Sequence, residues 1–144
     1  MDADQALVDG RRILEPVLRP AGFAFVLRPS GRGSGGYFAS GAFERPGRRL
    51  EFHFRYSLGL VAYHVGAMSL DHRQYMRALG HERDAAYPGF SSDPLDGFRH
   101  LRSDLARFGA EFLEGSDAQF CQRVDWTESH PVPHGLAATQ RQDV

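Results

Sequence analysis

The sharpest alternation in the chain runs from residue 50 to 56. Leu50, Phe52, Phe54 and Tyr56 point one way, and Glu51, His53 and Arg55 point the other. That period of two predicts a strand with one face in a core. The same period appears upstream over residues 23–28, where Phe23, Phe25 and Leu27 alternate with Ala24, Val26 and Arg28, and again over 37–44. Pro46-Gly47 closes the 37–44 strand as a favoured turn pair. Leu58-Gly59 reads as the next turn, into a fourth strand with Val61, Tyr63 and Val65 on one face.

These turns predict a register. Phe43 falls opposite Leu50, Gly41 opposite Phe52, Ala39 opposite Phe54 and Tyr37 opposite Tyr56, so small residues face large ones. The next turn sets Tyr63 opposite Phe54 and Val65 opposite Phe52. A slip of one residue would invert every apolar row.

Spacings of three and four take over on either side. Residues 4–19 place Leu7, Gly10, Leu14 and Val17 on one helical face, with Pro16 as a kink and Pro20 and Gly22 as the stop. Asp71 caps a short helix over 72–79, with Gln74 at the capping-box position and Gly80 after it. Residues 81–92 read as a loop. The longest stripe follows: Leu95, Phe98, Leu101, Leu105, Phe108 and Phe112, between an Asp93 cap with Pro94 and a terminal Gly115. It predicts a helix over 94–114, about 30 Å long. Ser116 and Gln119 form a second capping box, opening a helix to about residue 125.

With no βαβ alternation, the fold class is α+β: an antiparallel four-stranded meander, with an N-terminal helix and a long C-terminal helix packed on one face (α-β-β-β-β-α-α-α). Residues 1–126 read as a single domain. Residues 127–144 turn polar and Pro-containing and are expected to form a mobile tail.

Composition narrows the chemistry. All 17 basic side chains are Arg; there is no Lys and no Asn, and Ile13 is the one Ile. Codons for these three residues are AT-rich, which suggests a GC-rich bacterial genome. The absence of Lys excludes Schiff-base chemistry, a P-loop lysine and a Ser-Lys dyad. The absence of Asn excludes N-glycosylation. A net charge of −1 gives no global pull toward nucleic acid or an anionic membrane. No apolar run nears the roughly 20 residues that cross a bilayer. The acidic opening MDADQALVDG lacks a signal-peptide pattern, and Cys121 stands alone. The expected location is the cytoplasm.

The segment RPSGRGSGGYF contains a G-x-G-x-x-G match at Gly31, Gly33 and Gly36. A dinucleotide fingerprint needs a helix directly after the glycines, to hold the pyrophosphate on its N-terminus. Here a strand follows, and a kinase-type loop would need a lysine. The segment reads as a hairpin turn, and no cofactor is expected.

The outer face of the sheet carries the remaining candidates. The predicted register sets Ser40, His53 and His64 in one row, with Glu51 and Arg55 adjacent. These residue types could make a small hydrolase or a metal-dependent enzyme. No G-x-S-x-G elbow and no H-E-x-x-H motif supports either, so neither a catalytic nor a metal site is assigned. The same face carries Ala24, Val26, Phe38 and Ala42, and a mixed Phe, Arg and His patch suits a partner surface or self-association. Arg28, Arg32, Arg45, Arg48, Arg49 and Arg55 stand on the hairpins against Glu44 and Glu51, which favours an acidic partner. RNA-binding sheets display several exposed aromatics beside their basic residues; only Phe38 qualifies, which argues against nucleic acid. The partner-binding set is Arg28, Arg32, Phe38, His53, Arg55 and His64. Cys121 reads as a small buried hydrophobe. His100 and Asp104 read as a pair on the exposed flank of the long helix.

The helix end LEPVLRPAGF and the meander after it, residues 7–66 in all, resemble small bacterial α+β domains of the kind encoded beside polymorphic toxins as immunity proteins. The resemblance implies a non-enzymatic cytoplasmic protein that binds another protein. It transfers no functional residue.

Overall fold

The structure is a computed structural model that describes residues 2–33 and 36–132, the side chains of 29–37 excepted. It is α+β, with one open antiparallel sheet and five α-helices among the described residues. The strands are β1 (Ala24–Gly33), β2 (Gly36–Arg45), β3 (Arg48–Phe54), β4 (Leu58–Val65) and β5 (Met68–Asp71), in that order across the sheet. The meander therefore has five strands, not the expected four. The fifth, MSLD, has only Leu70 as a buried apolar residue. So short a strand has too few alternations to be told from a helix start. It exists because Gly66, at φ +60°, reverses the chain and lets Met68–Asp71 pair back onto Val65–Ala62.

The β2–β3 register matches the prediction: Phe43 faces Leu50, Gly41 faces Phe52 and Ala39 faces Phe54. The β3–β4 register does not. The turn lies at residues 55–57 instead of Leu58-Gly59, and the ladder shifts between Phe52 and Phe54. Tyr63 thus faces Leu50, and Val61 faces Phe52. Both displacements are even, so every side chain keeps its expected face. Tyr56 leaves the apolar row and stands 82% exposed in the turn.

The inner face is covered by α1 (Ala3–Leu18), α2 (His72–Ala78), α3 (Asp96–Phe108), α4 (Ala110–Glu114) and α5 (Asp117–Ser129). Helix α1 runs through Pro16, tightens into a 3-10 turn and stops at Gly22, φ +92°. Its Gly10 lets the Phe98 ring of α3 approach so closely that a Cβ there would lie 2.5 Å from it. Phe98 in turn meets Phe52 edge-on and stacks on Phe54. The long helix expected over 94–114 is two helices. Gly109 departs from helical geometry between α3 and α4, and a Cβ there would sit 2.7 Å from the Leu105 carbonyl oxygen. The apolar stripe survives the break, with Phe98, Leu101, Leu105 and Phe112 all buried. Both capping boxes form as read, at Asp71/Gln74 and Ser116/Gln119. Helix α5 continues to Ser129, past the expected end near residue 125; the rest of the expected tail, 133–144, lies outside the described residues.

Arg48 holds α4 against the sheet end. Its guanidinium donates to the carbonyls of Glu111 (3.0 Å), Phe112 (2.6 Å) and Gly115 (2.6 Å), and to Asp117 Oδ1 (3.0 Å). The Phe112 and Gly115 carbonyls lie at the C-terminal end of α4, where helical partners run out, whereas Glu111 also accepts the Gly115 N–H at 2.8 Å.

Candidate functional site

The period of two that buries Phe52 and Phe54 turns Glu51 and His53 outward on β3, with His64 beside them on β4. His64 stands opposite Arg49, not His53, so the predicted row of Ser40, His53 and His64 does not form. Ser40 does face His53 across β2–β3. The histidines instead flank one carboxylate: His64 Nε2 is 2.9 Å from Glu51 Oε1, and His53 Nε2 is 3.4 Å from Oε2. Burial raises the pKa of Glu51. Hydrogen bonds from His64 and His53, with the charges of His64 and Arg49, outweigh that and hold the group below the ordinary carboxylate value. Among the described residues no hydrogen bond links Ser40 to either ring, and no three His, Cys, Asp or Glu residues are placed to hold a metal ion.

Phe38 stacks on the His53 ring at 5.0 Å, and Arg55 lies over Phe38 at 5.9 Å. Arg28 pairs with Glu44. The face therefore brings Phe38, His53, Arg55 and His64 close around β3, with Arg28 across β2. The Arg32 side chain lies outside the described residues. The glycine segment is mostly strand, not the expected turn: β1 runs through Gly33 and β2 begins at Gly36, with Gly33 opposite Gly36 and a register shift between Arg28 and Gly31.

The two turns at one end of the sheet, at Gly47 and Gly66, frame a cleft of about 370 Å³. Its walls include Arg28, Arg45, Arg48, Arg49 and His64, with Glu44 as the one carboxylate. Arg45 donates to the Ala21 carbonyl and lies over the Phe23 ring, and Arg48 is spent on α4. Arg49 lines the cleft, with its Nη2 3.9 Å from Glu51 Oε1.

A second cluster escaped the sequence reading. Tyr63, His72 and Asp104 form a buried line, 0%, 4% and 0% exposed. The Tyr63 hydroxyl is 2.7 Å from His72 Nδ1, and His72 Nε2 is 2.9 Å from Asp104 Oδ2. Asp104 also accepts the backbone N–H of Ala86 at 2.7 Å and of Tyr87 at 2.9 Å. The carboxylate takes the Nε2 proton, so in the neutral ring Nδ1 accepts from Tyr63 and every group is satisfied. Burial works against the Asp104 charge, but these three donors outweigh it and keep its pKa below the ordinary value. Burial pushes the Tyr63 phenol well up.

Asp104 is therefore not an exposed partner of His100. The available signal was its spacing, three after Leu101 and four before Phe108, which puts a carboxylate on the edge of the apolar stripe. Cys121, in contrast, is exposed.

No helix among the described residues is long and apolar enough to cross a membrane. Comparison with protein-family models, curated proteins and solved structures returns no match.

Proposed function

We propose that this is a non-enzymatic cytoplasmic binding domain that docks an acidic protein partner on the outer face of its sheet. The observation that carries the reading is the basic cleft: Arg28, Arg49 and His64 line one opening with Glu44, and Arg45 and Arg48, whose donors go largely to backbone carbonyls, add positive charge to the same wall. Phe38, His53 and Arg55 stand further along the same sheet face, toward the other end of β3, and supply a half-buried aromatic and cationic group, the composition of an interface core rather than of a solvated face. The net charge of −1 localises the attraction to this end of the molecule. A lone cysteine and the resemblance to immunity domains agree with an intracellular protein whose work is to bind another protein.

Nothing in the geometry favours hydrolysis at Ser40, because His53 and His64 both direct Nε2 to Glu51. Titration with a fluorescent oligoglutamate peptide tests the reading. Affinity should fall steeply from low to physiological salt and collapse in the double variant Arg28→Glu/Arg49→Glu. The same affinity in that variant would refute it. A neighbouring toxin gene whose product co-purifies with the parent, and not with the double variant, would name the partner.

A further inference from the structure

Histidine is the side chain that ordinarily changes charge near neutral pH, and His64 lines the basic cleft. Its Nε2 lies 2.9 Å from Glu51 Oε1, and His53 Nε2 lies 3.4 Å from Oε2 of the same group. An ionised carboxylate only accepts, so each neutral ring gives it the Nε2 proton and keeps Nδ1 as its basic atom. Among the described residues neither Nδ1 makes a hydrogen bond, and both side chains are partly open to solvent. A second proton therefore enters each ring with both contacts to Glu51 kept.

The charges around the two rings decide what that proton does. On β3, Arg49 Nη2 is 3.9 Å from Glu51 Oε1, and Arg55 lies over the Phe38 ring that stacks on His53. On β2, Glu44 stands opposite Arg49 and Ser40 opposite His53; on β1, Arg28 pairs with Glu44. On β5, Ser69 stands opposite His64, and Asp71, opposite Ala62, caps α2. Arg45 and Arg48 complete the cleft wall, Arg48 with Asp117 beside it. Among the described residues Glu51 is thus the one carboxylate within hydrogen-bond reach of either ring. Despite its burial it is held below the ordinary carboxylate value, so it stays charged near neutral pH. With both rings neutral, Glu51, His53 and His64 together carry one negative charge, which offsets Arg49. With both protonated they carry one positive charge, and Arg49 acts on the cleft unmasked.

We infer that the His53–Glu51–His64 cluster gates the basic cleft by protonation, so that it takes an acidic partner more tightly in mild acid than in mild alkali. This gating rests on the docking proposed above and supplies its regulation. His64 acts twice, as a charge on the cleft wall and as a counter-charge to Glu51. His53 stands outside the cleft, and its charge acts through Glu51.

Fluorescence anisotropy on the full chain at fixed ionic strength tests this, between about pH 8 and about pH 5.5. The probe is an oligoaspartate peptide, whose carboxylates stay ionised over that range. Parent affinity should rise about tenfold on acidification, a factor of roughly three for each imidazolium at this exposure. His53→Gln/His64→Gln keeps an N–H donor for Glu51 but gains no charge. Its affinity should match the parent's at the alkaline end and change by less than about twofold on acidification. Glu51→Gln removes the masking charge and should tighten binding at the alkaline end by a factor of roughly three. In the parent without peptide, the ¹⁵N shifts of both rings should report an added Nδ1 proton over the same range. Binding that is lost in Arg28→Glu/Arg49→Glu but equal at both pH values would overturn the gating and leave the docking intact. Rings that stay neutral at the acid end would also overturn it, as would a pH response that persists in the double histidine variant. A peptide bound at neither pH would overturn the docking, and the gating with it.

Discussion

Replacing Asp104 should be the most damaging single change in the molecule outside the aromatic core. In Asp104→Ala, three donors lose their acceptor together: the N–H groups of Ala86 and Tyr87, and His72 Nε2. An unsatisfied buried donor costs about 1–3 kcal/mol. Ala86, Tyr87 and His72 all line a cleft between α2 and the segment 82–90, but His72 is only 4% exposed and is the least able to regain water. The sum is about 3–5 kcal/mol, against a total stability of about 5–15 kcal/mol for a domain. Asp104→Asn separates charge from shape. Its amide oxygen can keep the Ala86 N–H, but its NH2 then meets His72 Nε2 and the Tyr87 N–H. The imidazole proton must move to Nδ1, and the Tyr63 hydroxyl loses its acceptor. That variant should lose about 2 kcal/mol in urea unfolding, and the ¹⁵N shifts of the His72 ring should exchange their pattern. The pH dependence has a definite sign. The folded-state pKa of Asp104 is depressed, so its contribution is complete above the unfolded value of about 3.9 and is lost as pH falls through the folded value. The gap between parent and Asp104→Asn should therefore narrow below about pH 4. A loss under about 1 kcal/mol in Asp104→Ala, with the His72 tautomer unchanged in Asp104→Asn, would refute the network.

Three further outcomes follow from the packing. Gly10→Ala gains about 1 kcal/mol of helix propensity but drives a methyl into Phe98, so thermal melting should show a net loss of about 1–2 kcal/mol. Arg48→Met takes the guanidinium donor from the Phe112 and Gly115 carbonyls, while Glu111 keeps the Gly115 N–H, and should cost about 2–4 kcal/mol by chemical denaturation. Tyr63→Phe should lose about 1–2 kcal/mol by deleting the donor to His72, whereas Tyr75→Phe should be within about 0.5 kcal/mol of the parent, because the buried Tyr75 hydroxyl has no hydrogen-bond partner of good geometry among the described residues.

What could be read from the chain was whatever local periodicity dictates. Phe52 and Phe54 declared their face because strand geometry leaves them no other, and Asp71 and Ser116 announced helix starts that any context would keep. Properties set across the chain were hidden. The 55–57 turn and the ladder shift at Phe52/Phe54 depend on how β4 seats against β3, so His64 was set opposite the wrong residue. Gly109 lies inside the apolar stripe, and nothing in the spacing marks a break there. Its requirement comes from the Leu105 carbonyl, a contact that only the folded turn creates. His72 seemed merely the first residue of a capped helix, and its partners come from β4 and α3, 9 and 32 positions away. The basic character of the hairpins was legible, since six arginines fall on three of them. That four of them line one cleft was not, because it needs the Gly47 and Gly66 turns side by side.

The close fit of Gly10 against Phe98 joins segments 88 positions apart in the chain. During synthesis the five strands can pair hairpin by hairpin as they emerge, because every sheet neighbour is a sequence neighbour. Their apolar face stays only partly covered until α3 and α4 have left the ribosome. For that interval Phe43, Phe52 and Phe54 form an open aromatic sheet surface. A nascent chain stopped near residue 95 is the form of this protein most exposed to aggregation and most in need of a chaperone.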